Sequence, residues 1–115
     1  MKKLFVLIVS GPDDPAKVKA GLGFARVAKD SGQVDDVQCC FLADGVDVLV
    51  PENLMAFESL FNAVIDRNIF VIACQLHAEQ KGIQDQLRDV AHIDLHYVGK
   101  DMVDALTQGY EFVTF

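Results

Sequence analysis

The stretch Leu4-Phe5-Val6-Leu7-Ile8-Val9, followed by Ser10-Gly11-Pro12-Asp13-Asp14-Pro15, decides the fold class of this chain. An unbroken apolar run with no polar alternation describes a strand covered on both faces, as in a parallel sheet. The next residues break the strand and start a helix. Asp14 is placed to cap its N-terminus, and Pro15 takes the first position, where the donor that proline lacks has no partner anyway. From Ala16 to Asp30, Val18, Gly21, Leu22, Ala25 and Ala28 share one face. Ala20, Phe24 and Val27 widen it, which predicts a helix buried on more than one side. Gly32 stands where a left-handed C-terminal cap belongs.

Downstream the alternation repeats. Val37 to Ala43 reads as a second strand ended by Asp44-Gly45, and Gly45 to Val50 as a short helical turn stopped by Pro51. Leu54, Phe57, Leu60, Phe61, Val64 and Ile65 then recur at helical spacing. Ile69 to Cys74 is a third strand, and Ala78, Ile83, Leu87 and Val90 mark a polar-faced helix weakened by Gly82. Ile93, Leu95 and Tyr97 alternate with Asp94 and His96 as a fourth strand; a helix over 101–108 and a strand over 110–115 complete the pattern. Strands alternating with helices predict a single α/β domain over residues 1–115: a three-layer α/β/α arrangement around an open, mostly parallel sheet of about five strands. Crossovers between parallel strands are expected to be right-handed.

At 115 residues the chain suffices for one domain with its own core. Its apolar residues with glycine make up about 57%, above the soluble norm of about 45–50%, which excludes disorder and leaves apolar surface for a subunit interface. A net charge of −7 and a pI near 4.7 argue against nucleic acid or an anionic membrane as partner. Residues 30–66 hold eight acids and no base, whereas six of the ten bases lie at or before Lys29. This is an acidic solvated face, or a charge asymmetry that helps neighbouring subunits dock. Met1-Lys2-Lys3 ahead of an apolar run imitates a signal peptide, but the run is too short and no small-residue cleavage site follows. A cytoplasmic location is expected, and three cysteines without framework spacing fit reduced thiols.

Ligands in open α/β sheets bind beyond the carboxyl ends of the strands, here the loops 10–15, 43–46, 74–78 and 99–101. Only the third offers a strong nucleophile. Cys74 ends its strand and a helix is expected from about Ala78, so the partial positive charge of a helix N-terminus favours its thiolate. His77 as imidazolium would add to this. The alternative is a small buried apolar residue, since free cysteine is often buried. Cys39 and Cys40, adjacent in mid-strand, face opposite sides of the sheet and read as structural. Cys74 with His77, and His92 with His96, suggest metal spacing. However, positions four apart on a strand are about 13 Å apart, and a structural zinc takes four ligands. No metal and no cofactor are expected. Gly21-Leu22-Gly23 lies inside a helix and is no dinucleotide fingerprint. Ser10-Gly11 precedes a helix, but Asp13 and Asp14 would repel phosphate.

The chain resembles the DsrE/DsrF/TusD-like sulfur-relay family, which includes the YchN-like proteins. The residues that carry the resemblance are Phe41-Leu42-Ala43-Asp44-Gly45-Val46, then Val71-Ile72-Ala73-Cys74 with Ala78 and Gly82-Ile83, and finally Gly109-Tyr110-Glu111-Phe112-Val113. The resemblance implies that Cys74 carries sulfur as a persulfide in a sulfurtransferase-like reaction with donor and acceptor proteins. It also implies a homo-oligomer, trimer or hexamer, with sites near subunit boundaries. Gln75-Leu76-His77 replaces the Gly-Asn-Ser or second cysteine of several members, and Lys81 stands where many carry arginine. The site set expected is Cys74 as nucleophile with His77 and Lys81 stabilising its anion. The competing expectation is a non-catalytic ligand-binding or structural subunit of a homo-oligomer.

Overall fold

The computed structural model describes residues 2–115. β1 (Lys2–Ile8) leads through α1 (Pro15–Asp30) to β2 (Val34–Phe41). A 3₁₀ segment (Ala43–Leu49), α2 (Pro51–Leu54), a further 3₁₀ turn (Met55–Phe57) and α3 (Glu58–Asp66) connect β2 to β3 (Phe70–Cys74). α4 (Gln75–Gln80) and α5 (Gln84–Arg88) lead to β4 (Ile93–His96), and α6 (Val98–Thr107) leads to β5 (Tyr110–Thr114). The strands form one sheet in the order β4-β3-β2-β1-β5, and every pairing is parallel.

That order fixes the layers. From β1 to β4 each crossover steps to the next strand in the same direction, and right-handed connections place all their helices on one face. The last connection runs back across the sheet to the other side of β1, which puts α6 on the opposite face. Accordingly α1 packs on β1, β2 and α3, whereas α6 packs on β3 and β5. β1 is an interior strand and buries Phe5, Val6 and Ile8 completely, as a strand with a neighbour on each edge and a layer on each face must. The Phe5 ring stacks on Phe112 at 5.1 Å and meets Tyr110 edge-on at 6.2 Å.

Several boundaries differ from the sequence reading. α1 buries Val18, Gly21, Leu22, Ala25 and Ala28 as the periodicity predicts, but it is buried on one side only. Phe24 is 39% and Val27 57% exposed, because no second layer covers the outer face of α1. Asp14 occupies the N-cap position without a side-chain capping bond; its carboxylate lies 3.6 Å from Lys17 Nζ instead. Gly32 is left-handed as expected, with φ +69°. The helix read from Leu54 to Ile65 tightens into 3₁₀ geometry at Met55–Phe57. The helix read from Ala78 to Val90 is two, separated at Gly82 with φ +70°. Cys39 and Cys40 lie near the carboxyl end of β2, which stops at Phe41, rather than in mid-strand.

Candidate functional site

β3 and β4 are adjacent, yet their outgoing connections diverge: β3 feeds α4 on the α1 face, and β4 feeds α6 on the other. Such a divergence opens a crevice at the carboxyl ends of the strands. A cleft of about 480 Å³ lies there, lined by Leu42, Cys74, Leu76, His77, Tyr97, Val98, Gly99, Lys100 and Met102. The loops expected at 74–78 and 99–101 are the first turns of α4 and α6, since both helices start about three residues earlier than the periodicity suggests. Chain that reads as loop thereby becomes a helical wall.

Cys74 is the last residue of β3 and the N-cap of α4. It is 4% exposed, so its access to solvent is through the cleft it lines. Its thiol takes no hydrogen-bond partner among the described residues, and the amides of the first turn of α4 follow it directly. Register places Cys74 opposite His96 on β4, and Cys40 opposite Ile72. Because side chains alternate along a strand, Cys40 and Cys74 share a face of the sheet while Cys39 points to the other. Burial pushes the Cys39 thiol up to about 12. Burial, then the neighbouring Cys39, Cys74 and Asp101, push Cys40 well above the ordinary thiol range. Both remain protonated at neutral pH, in keeping with structural roles.

His77 shares the cleft with Cys74, but not as the imidazolium the sequence reading expects. Its Nδ1 accepts the Ala43 backbone N–H at 2.7 Å, which leaves the ring proton on Nε2. Ala43 is held left-handed at φ +52°, a conformation costing a non-glycine residue about 1–2 kcal/mol. The 3₁₀ segment that begins at Ala43 therefore stores strain where it meets the site.

Lys81 does not reach the cleft. Its Nζ lies 3.0 Å from Asp47 Oδ2 and 3.0 Å from Asp44 Oδ1, clamping the end of α4 to the 3₁₀ segment. These bonds, that to Asp47 foremost, hold its ammonium above the ordinary lysine value. The other polar rim groups are also occupied. The Tyr97 hydroxyl donates to Glu79, which raises its pKa, and Lys100 Nζ donates to Asp104 at 3.0 Å. His96 Nδ1 lies 3.1 Å from Asp101 Oδ1, away from His92, so the pair four apart does not converge. The structure thus unites Cys74 with His77 and leaves Lys81 as a strut behind them.

A family model described as DsrE/DsrF-like matches residues 2–115. The chain belongs to the DsrE/DsrF-like family. Solved structures agree on the fold. A conserved protein of unknown function from Bacteroides thetaiotaomicron superposes with a TM-score of 0.77 at 17% identity, covering 96% of this chain and 94% of the other. The YchN protein of E. coli gives a TM-score of 0.80 at 13% identity, with complete coverage of both chains. A protein of unknown function from Methanobacterium thermoautotrophicum gives 0.74 at 18%, again over the whole of both. No curated protein matches by sequence. Within the DsrE/DsrF-like fold, the cleft walls Leu42, Tyr97, Val98 and Met102 were missed by sequence reasoning. Their common signal is position: each lies just beyond the carboxyl end of a strand or in the first two turns of the helix that follows.

Proposed function

We propose that this DsrE/DsrF-like protein is a small sulfur carrier or sulfurtransferase-like subunit that holds sulfane sulfur as a persulfide on Cys74. The observation that carries the reading is the position of Cys74: a cysteine at the end of a strand, on the floor of the cleft between diverging connections, beside an oriented histidine. The thiolate attacks a sulfane sulfur, the new S–S bond holds it, and an acceptor thiol takes it away by the same exchange chemistry. Donors near the persulfide are His77 Nε2–H and the first amides of α4, both suited to an anionic sulfur. Lys81 acts through the 3₁₀ segment, as a positioning residue. Cys40 shares the face but is kept neutral by burial, so release of the sulfur falls to a thiol on another protein. Three unpaired cysteines support a reducing, cytoplasmic setting.

Intact mass after incubation with a sulfane donor tests this. One sulfur atom is expected on the parent and none on Cys74→Ser; sulfur absent from both, with Cys74 still alkylated readily, overturns the reading. The second reading, a structural subunit of a homo-oligomer, is favoured by one feature. Met102, Val103, Leu106 and Phe112 form a wholly apolar hollow on the thinly covered α6 face, where Val103 is 59% and Leu106 66% exposed. Self-association through this face is compatible with sulfur carrying and supports the proposal of an oligomer.

A further inference from the structure

We infer that the Cys74 cleft selects an apolar sulfane donor, an alkyl hydropersulfide in its neutral, protonated form, over anionic donors such as thiosulfate. The inference rests on the sulfur-carrying reading for its chemistry, but on the walls of the cleft for its selectivity. Leu42, Leu76, Val98 and Met102 present hydrocarbon, and Gly99 presents none. Each cation that could meet an anion is already engaged: Lys100 by Asp104, and Lys81 by Asp44 and Asp47. The Tyr97 hydroxyl is committed to Glu79. An anion entering loses hydration and finds no free cationic side chain, only the neutral Nε2–H donor of His77 and the amides of the first turn of α4. The chain's net charge of −7 opposes its approach as well. An alkyl group loses nothing by entering, and about 480 Å³ lies within the range of about 300–1,000 Å³ usual for small-molecule sites.

The transfer balances without an outside oxidant or reductant. The Cys74 thiolate attacks the terminal sulfur of R–S–SH. The bond from Sγ to that sulfur forms as the S–S bond of the donor breaks, and the terminal sulfur keeps its proton. R–S⁻ leaves with the electron pair and takes up the proton that Cys74 gave to solvent. One sulfane sulfur changes carrier, and the sum is a thiol plus a hydropersulfide on each side.

Two measurements separate the selectivity from the chemistry. In the first, Cys74 is alkylated by iodoacetate, iodoacetamide and N-hexyl iodoacetamide, each rate divided by that of N-acetylcysteine amide. The hexyl reagent is expected to exceed iodoacetate by at least about tenfold, or about 1.4 kcal/mol. Leu76→Lys, which places a cation at the mouth, is expected to erase most of that ratio. Gly99→Leu is the variant that keeps the fold: a Cβ there meets nothing within 4 Å, so the added side chain starts in open space at the cleft wall. It is expected to slow the hexyl reagent about tenfold while unfolding no earlier than the parent. Normalised rates for the three reagents within about twofold of one another overturn the inference. In the second measurement, hexyl hydropersulfide and thiosulfate are compared as sulfur donors by intact mass. Equal loading from both overturns the selectivity and leaves the carrier reading intact. No loading from either, with the alkylation order preserved, overturns the carrier reading and leaves the apolar site standing.

Discussion

Gly45 is the position where one methyl group has the largest calculable effect. A Cβ built there lies 2.0 Å from the Ile8 carbonyl oxygen and 2.9 Å from its carbon, and both are backbone of β1. Neither can swing aside as a side chain does, so the 3₁₀ segment must withdraw by about 1.4 Å to restore an ordinary contact. Ile8 O also accepts the Leu42 N–H at 3.1 Å, and Gly45 N–H donates to Leu42 O at 2.9 Å, so withdrawal strains both bonds. Overpacking of this kind costs about 1–3 kcal/mol, and losing one hydrogen bond about 0.5–1.5 kcal/mol. The expected destabilisation of Gly45→Ala is therefore about 2–4 kcal/mol, which at about 4 °C per kcal/mol lowers Tm by about 8–16 °C. Thermal unfolding followed by circular dichroism reads this directly. Gly23→Ala is the control. It sits inside α1 with open space around its Cβ, and is expected to gain about 0.5–1 kcal/mol from reduced chain entropy. A Gly45→Ala protein melting within about 2 °C of the parent refutes the claim that the segment is pressed onto β1.

Other perturbations read other parts of the structure. Lys81→Met removes the strut to Asp47 and Asp44 and is expected to cost up to about 1 kcal/mol, as partly exposed pairs do. Because the folded lysine value is raised, its stabilisation is complete below the unfolded value and lost as pH climbs through the folded one. The gap in Tm between parent and variant should hold from about pH 6 to about pH 9 and close only above about pH 10.5; a gap closing at neutral pH rules the clamp out as its cause. Cys39 and Cys40 are expected to stay unmodified when native protein meets iodoacetamide at neutral pH and to react after denaturation, so a native adduct on either, located by peptide mapping, contradicts their sealed protonated state. Val103→Glu with Leu106→Glu is expected to reduce the assembly mass measured by light scattering; an unchanged mass removes the α6 face from the subunit contact.

How far the sequence went depends on what each feature needs. Leu4–Val9 and Ile69–Cys74 were legible as buried strands because two-sided burial writes itself as an unbroken apolar run, and the inner face of α1 was legible from its spacing. The starts of α4 and α6 were not. Gln75-Leu76-His77 carries no apolar stripe, and Tyr97 continues the alternation of β4, so periodicity placed both starts too late. The outward exposure of Phe24 and Val27 shows that apolar residues on a helix need not mean a second buried side. The place of Cys74 at the end of β3 was legible because a strand end followed by a helix is a local pattern. The bonds from Ala43 to His77 and from Lys81 to Asp44 and Asp47 join residues more than thirty positions apart, and single-chain spacing holds no record of them.

The sheet order has a consequence for synthesis. β1 emerges first and lies inside the sheet, but the strand along its second edge is β5, residues 110–114. Until those residues leave the ribosome, one flank of β1 offers unpaired amides and carbonyls next to Phe5 and Leu7, the kind of exposed ribbon that recruits neighbouring chains. A nascent chain paused a few residues short is therefore more adhesive than its length suggests, and shielding by a chaperone matters most just before translation of the sheet ends.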